Sequence, residues 1–202
     1  MRTVGLHPIL TVALLIWLGV FGASETSAQV FGRKPMRKAK EMIHRQAPPE
    51  VNPSVEPLIS PANARVIVSL SKQRAYVYAG DQLYIDTPVS TGKKAGSTPT
   101  GTFKITEKDI DHRSSIYGDF VDRQGRVVRA GVSLKVDSAP SGTRYRGAPM
   151  KYFMRLTNNG VGMHVGILPG YPASHGCIRL PAQIAPLIYN KVSSGTVVTI
   201  EP

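Results

Sequence analysis

The one cysteine of the chain, Cys177, lies in a short stretch that reads S-H-G-C-I-R-L from residue 174 to residue 180. A cysteine attacks a carbonyl carbon as its thiolate, so a reactive cysteine needs a neighbouring imidazole that accepts the thiol proton. His164 lies thirteen positions upstream, across a segment rich in glycine and proline that lets the two residues face each other. This pattern predicts Cys177 as a nucleophile and His164 as its base.

The residues directly before the cysteine suit a different task. His175 is only two positions from Cys177, and the intervening Gly176 favours a sharp turn that directs the imidazole away from the thiol. The oxyanion of a tetrahedral intermediate needs fixed hydrogen-bond donors, and backbone N–H groups beside a small residue supply them. We therefore expect the three consecutive N–H groups of His175, Gly176 and Cys177 to form an oxyanion site.

The stretch S-H-G-C-I-R-L, together with G-V-G-M-H at residues 160–164, resembles the signature of the YkuD-type L,D-transpeptidase catalytic domain. Four more segments are similar to that family: residues 64–70, 91–103, 152–157 and 195–200. The resemblance therefore covers roughly residues 62–202.

The resemblance implies a role for each residue of the motif. It implies that Cys177 is the nucleophile that accepts the acyl group, and that His164 is the proton donor and acceptor. It implies that Arg179 belongs to the loop that faces the substrate. Three further residues would shape and support the oxyanion site: Ser174, His175 and Gly176.

The cysteine has two other interpretations, besides that of an inert buried thiol. His164, His175 and Cys177 could together bind zinc, but no Cys-x-x-Cys pair or His-Glu-x-x-His helix accompanies them. In a papain-like hydrolase the cysteine precedes its histidine and begins a long helix, whereas here the order is reversed. We predict neither a metal nor a cofactor.

Residues 1–28 have the pattern of a signal peptide. An almost wholly apolar run at residues 9–21 is too short to span a membrane, and small residues follow it up to Ala28. We predict cleavage after Ala28 and export to the periplasm or cell-wall space, with an uncleaved anchor as the alternative. A single cysteine in an exported domain has no internal disulfide partner, so its thiol is either buried or kept for reactivity.

Residues 29–61 are rich in basic residues and proline and predict a disordered linker before a catalytic domain at residues 62–202. Within the linker, residues 47–61 are expected to be extended and mobile. A short basic helix at residues 34–46 is an alternative to an irregular conformation there. The linker either tethers the domain near an anionic wall or membrane surface, or is a solvated connection with incidental charge.

The catalytic domain is predicted to be mainly β: a β-sandwich or mixed sheet with one or two short helices. Alternating apolar residues at 64–70, 74–78 and 83–89 indicate a meander of antiparallel strands. Further strands are predicted at residues 102–107, 152–157, 161–165 and 196–200, and a helix at 181–191. The polar segment 109–149 is long enough to be a functional lid or rim.

The formal net charge is +12, and residues 62–202 hold 18 basic and 9 acidic residues. Such a domain attracts polyanions. We expect no nucleic-acid partner, because the sequence contains no helix-turn-helix or RNP-like pattern. Wall peptides with free carboxylates fit both the charge and the expected compartment.

The resemblance, the charge and the leader together predict an exported cysteine L,D-transpeptidase that cross-links peptidoglycan stem peptides or attaches a protein amine to them. A wall-attached lipoprotein is a candidate acceptor, and carbapenem β-lactams are expected covalent inhibitors. The alternatives are an L,D-carboxypeptidase and a non-catalytic wall-binding module. We expect a monomer.

Overall fold

A computed structural model describes residues 45–202 of the protein. Within that range the chain forms thirteen β-strands and one helix, arranged around three β-sheets. This confirms the predicted mainly-β fold with mixed sheets. No helix in this part of the chain is long and apolar enough to cross a membrane. The signal peptide predicted at residues 1–28 lies outside the described residues, and so does most of the short basic helix considered for residues 34–46.

The first sheet has six strands in the order β1-β4-β3-β2-β13-β5. Their bounds are β1 Glu50–Val51, β2 Ala64–Ser69, β3 Arg74–Ala79, β4 Gln82–Pro88, β5 Gly101–Lys104 and β13 Val197–Glu201. Strands β2, β3 and β4 form the antiparallel meander that their alternating residues predict. The sheet is mixed because β13 runs parallel to β2 and antiparallel to β5.

The second sheet has the order β12-β11-β10-β6 and carries the motif residues. Its strands are β6 Glu107–Asp109, β10 Phe153–Arg155, β11 Gly162–Val165 and β12 Ile178–Leu180. Strands β11 and β12 are parallel, with His164 opposite Arg179. Met163 and Ile178, which are also opposite each other, are fully buried in the core. Since successive side chains point to opposite faces, His164 and Arg179 lie on the face turned away from the core.

The chain passes from the first sheet to the second between β5 and β6. The sequence predicts one strand at residues 102–107, but the structure has two. The N–H of Ile105 donates to the Thr196 carbonyl, beside the first sheet, and the N–H of Thr106 donates to the Arg155 carbonyl, in the second sheet. Two adjacent residues thus bond to different sheets, which ends one strand and begins the next.

The third sheet is formed by the segment that the sequence marks as an insertion. Its order is β8-β7-β9, all antiparallel, with β7 Arg113–Val121, β8 Val127–Ser133 and β9 Arg144–Pro149. The sequence did not predict these strands. Most of β8 is exposed, so no alternation of apolar and polar residues marks it.

The helix α1, Ala185–Lys191, follows the second sheet and buries Ala185 and Ile188 against the core. It begins later than the predicted residue 181, because residues 182–184 form a turn. Lys108, in β6, donates from Nζ to the carbonyls of Tyr189 and Val192, both at 2.6 Å. A cation at the carboxyl end of a helix is favourable, so this side chain fixes α1 to the second sheet.

The prediction that residues 47–61 are extended and mobile is wrong for residues 50–59. Strand β1 pairs with β4, and Val55 and Ile59 are 3% and 5% exposed within the core. The N–H of Ile59 donates to the Val55 carbonyl, so one helical turn places both side chains on the same face. Proline-rich composition predicted a free linker, but two apolar residues four positions apart are enough to pack the segment on the domain.

We predict that Ile59→Ala lowers the free energy of unfolding by about 2–5 kcal/mol, because it leaves a cavity in the core. The neighbouring Leu58 is 52% exposed. Leu58→Ala is therefore the matched control and should change stability by less than about 0.5 kcal/mol. Denaturant unfolding of the two variants measures both values. Equal, small effects would show that residues 50–59 do not contribute to the core.

Candidate active site

Cys177 and His164 line the same cavity, which has a volume of about 750 Å³. Cys177 directly precedes β12 and is half-buried. Its Sγ donates a hydrogen bond to the Gly160 carbonyl oxygen, at 3.5 Å. Arg179, which is opposite His164 in the pairing of β11 with β12, lines the same cavity. The structure thus brings together the three residues that the sequence singled out.

His164 is 8% exposed and is held in one tautomer. Its Nδ1 lies 2.7 Å from the Val165 carbonyl oxygen. A carbonyl only accepts, so Nδ1 carries the proton and Nε2 is left with a lone pair. This is the form in which an imidazole takes a proton from a thiol.

The surroundings of His164 keep its ring neutral. Burial is the main cause that lowers its pKa, to about 4, and the positive charge of Arg179 and the ring of His112 lower it further. The hydrogen bond to Val165 acts in the opposite direction but is outweighed. His164 is therefore an uncharged acceptor throughout the neutral range.

Burial has the opposite effect on the thiol. It raises the pKa of Cys177, and a hydrogen bond from the Gly162 backbone and the charges of Arg179 and Arg155 offset only part of that rise. At neutral pH the resting pair is accordingly a thiol and a neutral imidazole, not a thiolate and an imidazolium. From this state, an attack of the thiol on a carbonyl would require a proton transfer in the same step.

Ser174 closes the turn that presents the cysteine. Its Oγ donates to the Cys177 carbonyl oxygen at 2.5 Å and accepts from the Gly176 N–H at 3.0 Å. This corrects one part of the expected oxyanion site, because the Gly176 N–H is already engaged. Among the described residues, the N–H groups of His175 and Cys177 have no hydrogen-bond partner, so these two are the candidate donors.

Gly176 occupies a position that admits no side chain. Its φ is +151°, and an added Cβ would lie 2.7 Å from the Ser97 carbonyl oxygen. The hydroxyl of Thr98 donates to the Gly176 carbonyl at 2.7 Å and accepts from the N–H of Gly92 at 2.8 Å. The loop at residues 91–100 therefore packs directly beneath the motif and fixes its backbone.

His175 does not take part in the thiol–imidazole pair. Its ring is exposed and stacks on Tyr117 of β7, with the centroids 4.0 Å apart and the planes within 10°. Partial desolvation of the ring, followed by the charges of Lys93, Arg179 and Lys94, lowers the pKa of His175. As the sequence predicts, His175 is turned aside, and the structure adds that it joins the motif loop to the third sheet.

Arg179 is half-buried and lines the cavity. One nitrogen, Nη1, donates to the Ile167 carbonyl at 3.3 Å, and an added Cβ on Gly166 would lie 2.6 Å from the Arg179 Cγ. In the part of the chain that the structure describes, no carboxylate pairs with this guanidinium. Arg179 therefore braces one loop carbonyl and still presents a free positive charge to the cavity.

The sequence did not identify several residues that line the cavity. His112 and Tyr117 belong to the polar segment 109–149, in which the sequence assigns no site residue, and Arg155 belongs to a predicted strand. Other basic and aromatic residues of that segment are not among those that line the cavity, for example Arg113, Arg144, Tyr145 and Arg146. Nothing local distinguishes the two groups, because strand pairing in the third sheet decides which side chains reach the cavity.

Among residues 45–202, the three side chains of the zinc interpretation do not form a common metal site. His164 is bonded through Nδ1 to a carbonyl, and His175 stacks on an aromatic ring. The potential ligand atoms that do lie together, within 4.8 Å, belong to Glu107, Asp109 and His112. Glu107 is paired with Arg155 at 2.5 Å and Asp109 with His112 at 3.1 Å, so these groups satisfy one another.

The family model of the L,D-transpeptidase catalytic domain, YkuD, matches residues 63–200. The match covers more than half of the chain, and the protein therefore belongs to this family. No match was found among curated proteins.

Solved structures share the fold. An L,D-transpeptidase from Mycobacterium smegmatis matches with a TM-score of 0.52 at 23% identity, covering 69% of this chain and 59% of that one. L,D-transpeptidase 3 from Mycobacterium tuberculosis gives 0.52 at 20% identity, covering 69% and 61%. An LD transpeptidase in complex with imipenem gives 0.51 at 20% identity, covering 68% and 58%. The chain thus spans about three-fifths of the length of the structures it matches.

We predict that the alkylation rate of Cys177 by iodoacetamide rises with pH up to at least pH 9. Burial raises the pKa of this thiol, so the thiolate fraction should increase about tenfold per pH unit below that pKa. Mass spectrometry of the adduct over time measures the rate, with N-acetylcysteine as the reference thiol. A rate that is constant from pH 5 to pH 8 would indicate a thiolate–imidazolium pair and contradict the assignment.

Proposed function

We propose that this protein is an exported L,D-transpeptidase that acts on peptidoglycan stem peptides through a thioester on Cys177. The observation that carries the proposal is the placement of Cys177 and His164 in one cavity beside the second sheet. There the Val165 carbonyl fixes the base tautomer of the histidine beside a cavity large enough for a peptide. Membership of the YkuD family supports the reaction class.

In the first half-reaction, His164 Nε2 takes the thiol proton as Sγ attacks the carbonyl carbon of an L,D peptide bond. The N–H groups of His175 and Cys177 stabilise the oxyanion. As the intermediate collapses, the C–N bond breaks and the imidazolium gives its proton to the leaving amine. The terminal D-residue departs, and a thioester remains on Cys177.

The charge of the cavity supports a substrate with free carboxylates. Among its lining residues are the cations Lys135, Arg155 and Arg179, while the described residues that line it include no aspartate or glutamate. Arg155 is balanced by Glu107, but Arg179 has no carboxylate partner among residues 45–202. A guanidinium holds a carboxylate in a bidentate grip. We assign Arg179 to a carboxylate of the stem peptide.

In the second half-reaction an amine attacks the thioester. The amine of a second stem peptide gives a cross-link, and the amine of a wall-attached lipoprotein gives a protein–wall linkage. Water in the same position makes the enzyme an L,D-carboxypeptidase, which is the second candidate function.

The setting and the inhibitors follow from the same proposal. The leader at residues 1–28 supports export to the periplasm or cell-wall space, where stem peptides occur. A carbapenem presents a reactive carbonyl to the thiol, and one of the proteins with this fold is an LD transpeptidase in complex with imipenem. We propose that carbapenems acylate Cys177.

We predict that Cys177→Ala leaves the domain folded and abolishes both turnover of muropeptides and addition of a carbapenem. The side chain is the nucleophile, and its removal leaves a small gap beside the loop. Incubation of the exported domain with purified muropeptides, followed by mass spectrometry, detects cross-linked, trimmed or unchanged products. An active Cys177→Ala variant would exclude the thioester mechanism, and an inert wild-type protein would favour a non-catalytic wall-binding module.

We predict that Arg179→Lys raises the KM for a stem peptide by about tenfold, because an ammonium cannot reproduce the bidentate grip. The melting temperature and the rate of iodoacetamide alkylation should stay within experimental error, since a lysine can still reach one loop carbonyl. The control is the same peptide with its carboxylates amidated, for which wild type and variant should have equal KM. A fall in melting temperature with unchanged KM would assign Arg179 to the brace alone.

A further inference from the structure

A second imidazole, that of His112, lines the cavity and takes no part in the pair formed by Cys177 and His164. Its Nδ1 lies 3.1 Å from Oδ2 of Asp109. An ionised carboxylate only accepts, so Nδ1 carries the proton and the lone pair is on Nε2. Among the described residues this ring has no further hydrogen-bond partner. His112 thus combines an orienting carboxylate with an unoccupied basic nitrogen.

Both members of the pair are held by β10. The His112 ring stacks on Phe153, with the centroids 4.2 Å apart and the planes within 12°, and Phe153 is fully buried. Asp109 is opposite Phe153 in the pairing of β6 with β10. The carbonyl of His112 accepts from the N–H of Met150, at 2.8 Å. The pair is therefore fixed in position, as a proton-transfer group must be.

This corner of the cavity differs in charge from the rest. Two carboxylates bond to side chains that line the cavity, Asp109 to His112 and Glu107 to Arg155, and both belong to β6. Arg179 and Cys177 lie on β12 or beside it, at the other edge of the second sheet. Since Arg155 balances Glu107, the attraction of an ammonium group to the β6 corner comes from Asp109, whereas the carboxylates of a peptide are attracted to Arg179.

The second half-reaction of a transpeptidase needs such a corner. A side-chain amine has a pKa of about 10.4, so near pH 7 fewer than about one in a thousand acceptor molecules is unprotonated. Only the unprotonated amine has the lone pair that attacks the thioester. His164 handles the proton that is exchanged between sulfur and nitrogen, so the first proton of the ammonium has to leave by another route.

We propose that His112, oriented by Asp109, is the base that accepts this proton and so prepares the acceptor amine; the inference rests on the proposed transpeptidase function. His112 Nε2 takes one proton from R-NH3⁺, and the resulting R-NH2 forms a C–N bond to the thioester carbonyl carbon. The intermediate passes a nitrogen-bound proton to His164. The C–S bond then breaks, His164 returns this proton to the thiolate, and His112 releases its own to water.

The test separates the two half-reactions in His112→Gln. Acylation, followed as release of the terminal D-residue in the first turnover, should stay within about twofold of wild type. Transfer to an amine of pKa about 10 should fall by about 100-fold, the scale of a lost general base. Transfer to an acceptor amine of pKa about 7 should fall by less than about threefold, because this amine is largely unprotonated.

Asp109→Asn tests the orienting role. The asparagine keeps an Oδ1 for the N–H of Asp111, which Asp109 accepts at 3.1 Å. The asparagine NH2 group takes the place of Oδ2 and donates a hydrogen bond instead of accepting one. His112 must then accept through Nδ1, so its proton moves to Nε2. The variant should show the same dependence on acceptor pKa as His112→Gln. Asp111→Asn is the matched control, since Asp111 is exposed and pairs with Lys151; it should transfer to both amines like wild type.

The outcomes are distinct. Equal losses with both amines, or an equal loss of acylation, would assign His112 to structure or to substrate binding and overturn the inference. If wild-type protein releases no terminal D-residue from a stem peptide, the proposed function itself fails, and the first half-reaction alone reveals this. A loss confined to the amine of high pKa, shared by Asp109→Asn and absent in Asp111→Asn, is the result that the inference requires.

Discussion

The parallel pairing of β11 with β12 is the constraint on which the rest of the site depends. The pairing sets His164 opposite Arg179, and because side chains alternate along a strand, both point away from the core. Met163 and Ile178 lie on the other face and anchor the two strands in the core. A shift of either strand by one residue would exchange its two faces, so that its apolar anchor would leave the core and its functional side chain would point into it. The apolar residues next to His164 and Arg179 therefore fix the positions of these two side chains.

Burial then determines the protonation states. The same loss of water lowers the pKa of His164 and raises that of Cys177, so the resting pair carries no charge. Arg179 stabilises a thiolate only in part, and because it faces the cavity without a carboxylate partner among the described residues, it can also attract an anionic peptide. One cation thus acts on the pKa of the thiol and on the charge of the cavity.

The backbone around the cysteine is set by packing against a loop that is distant in sequence. The Ser97 carbonyl excludes any side chain at residue 176, and the hydroxyl of Thr98 bonds to the same peptide. Ser174 consumes the Gly176 N–H and leaves those of His175 and Cys177. The third sheet adds Tyr117, which stacks on His175 and lines the cavity, so the cavity is formed by segments from different parts of the chain.

The sequence by itself determined the nucleophile and base as candidates, the mainly-β fold, the meander of β2 to β4 and the family, because residue types, short spacings and alternation are local properties. It also directed His175 away from the thiol, since the glycine beside it dictates a turn. Only the tertiary structure decided that Val55 and Ile59 belong to the core, that residues 113–149 form a sheet, and that His112 with Asp109 shares the cavity with Cys177. These features arise from contacts between segments far apart in the chain. In the third sheet most of β8 is exposed, so no alternation of apolar residues predicts that strand.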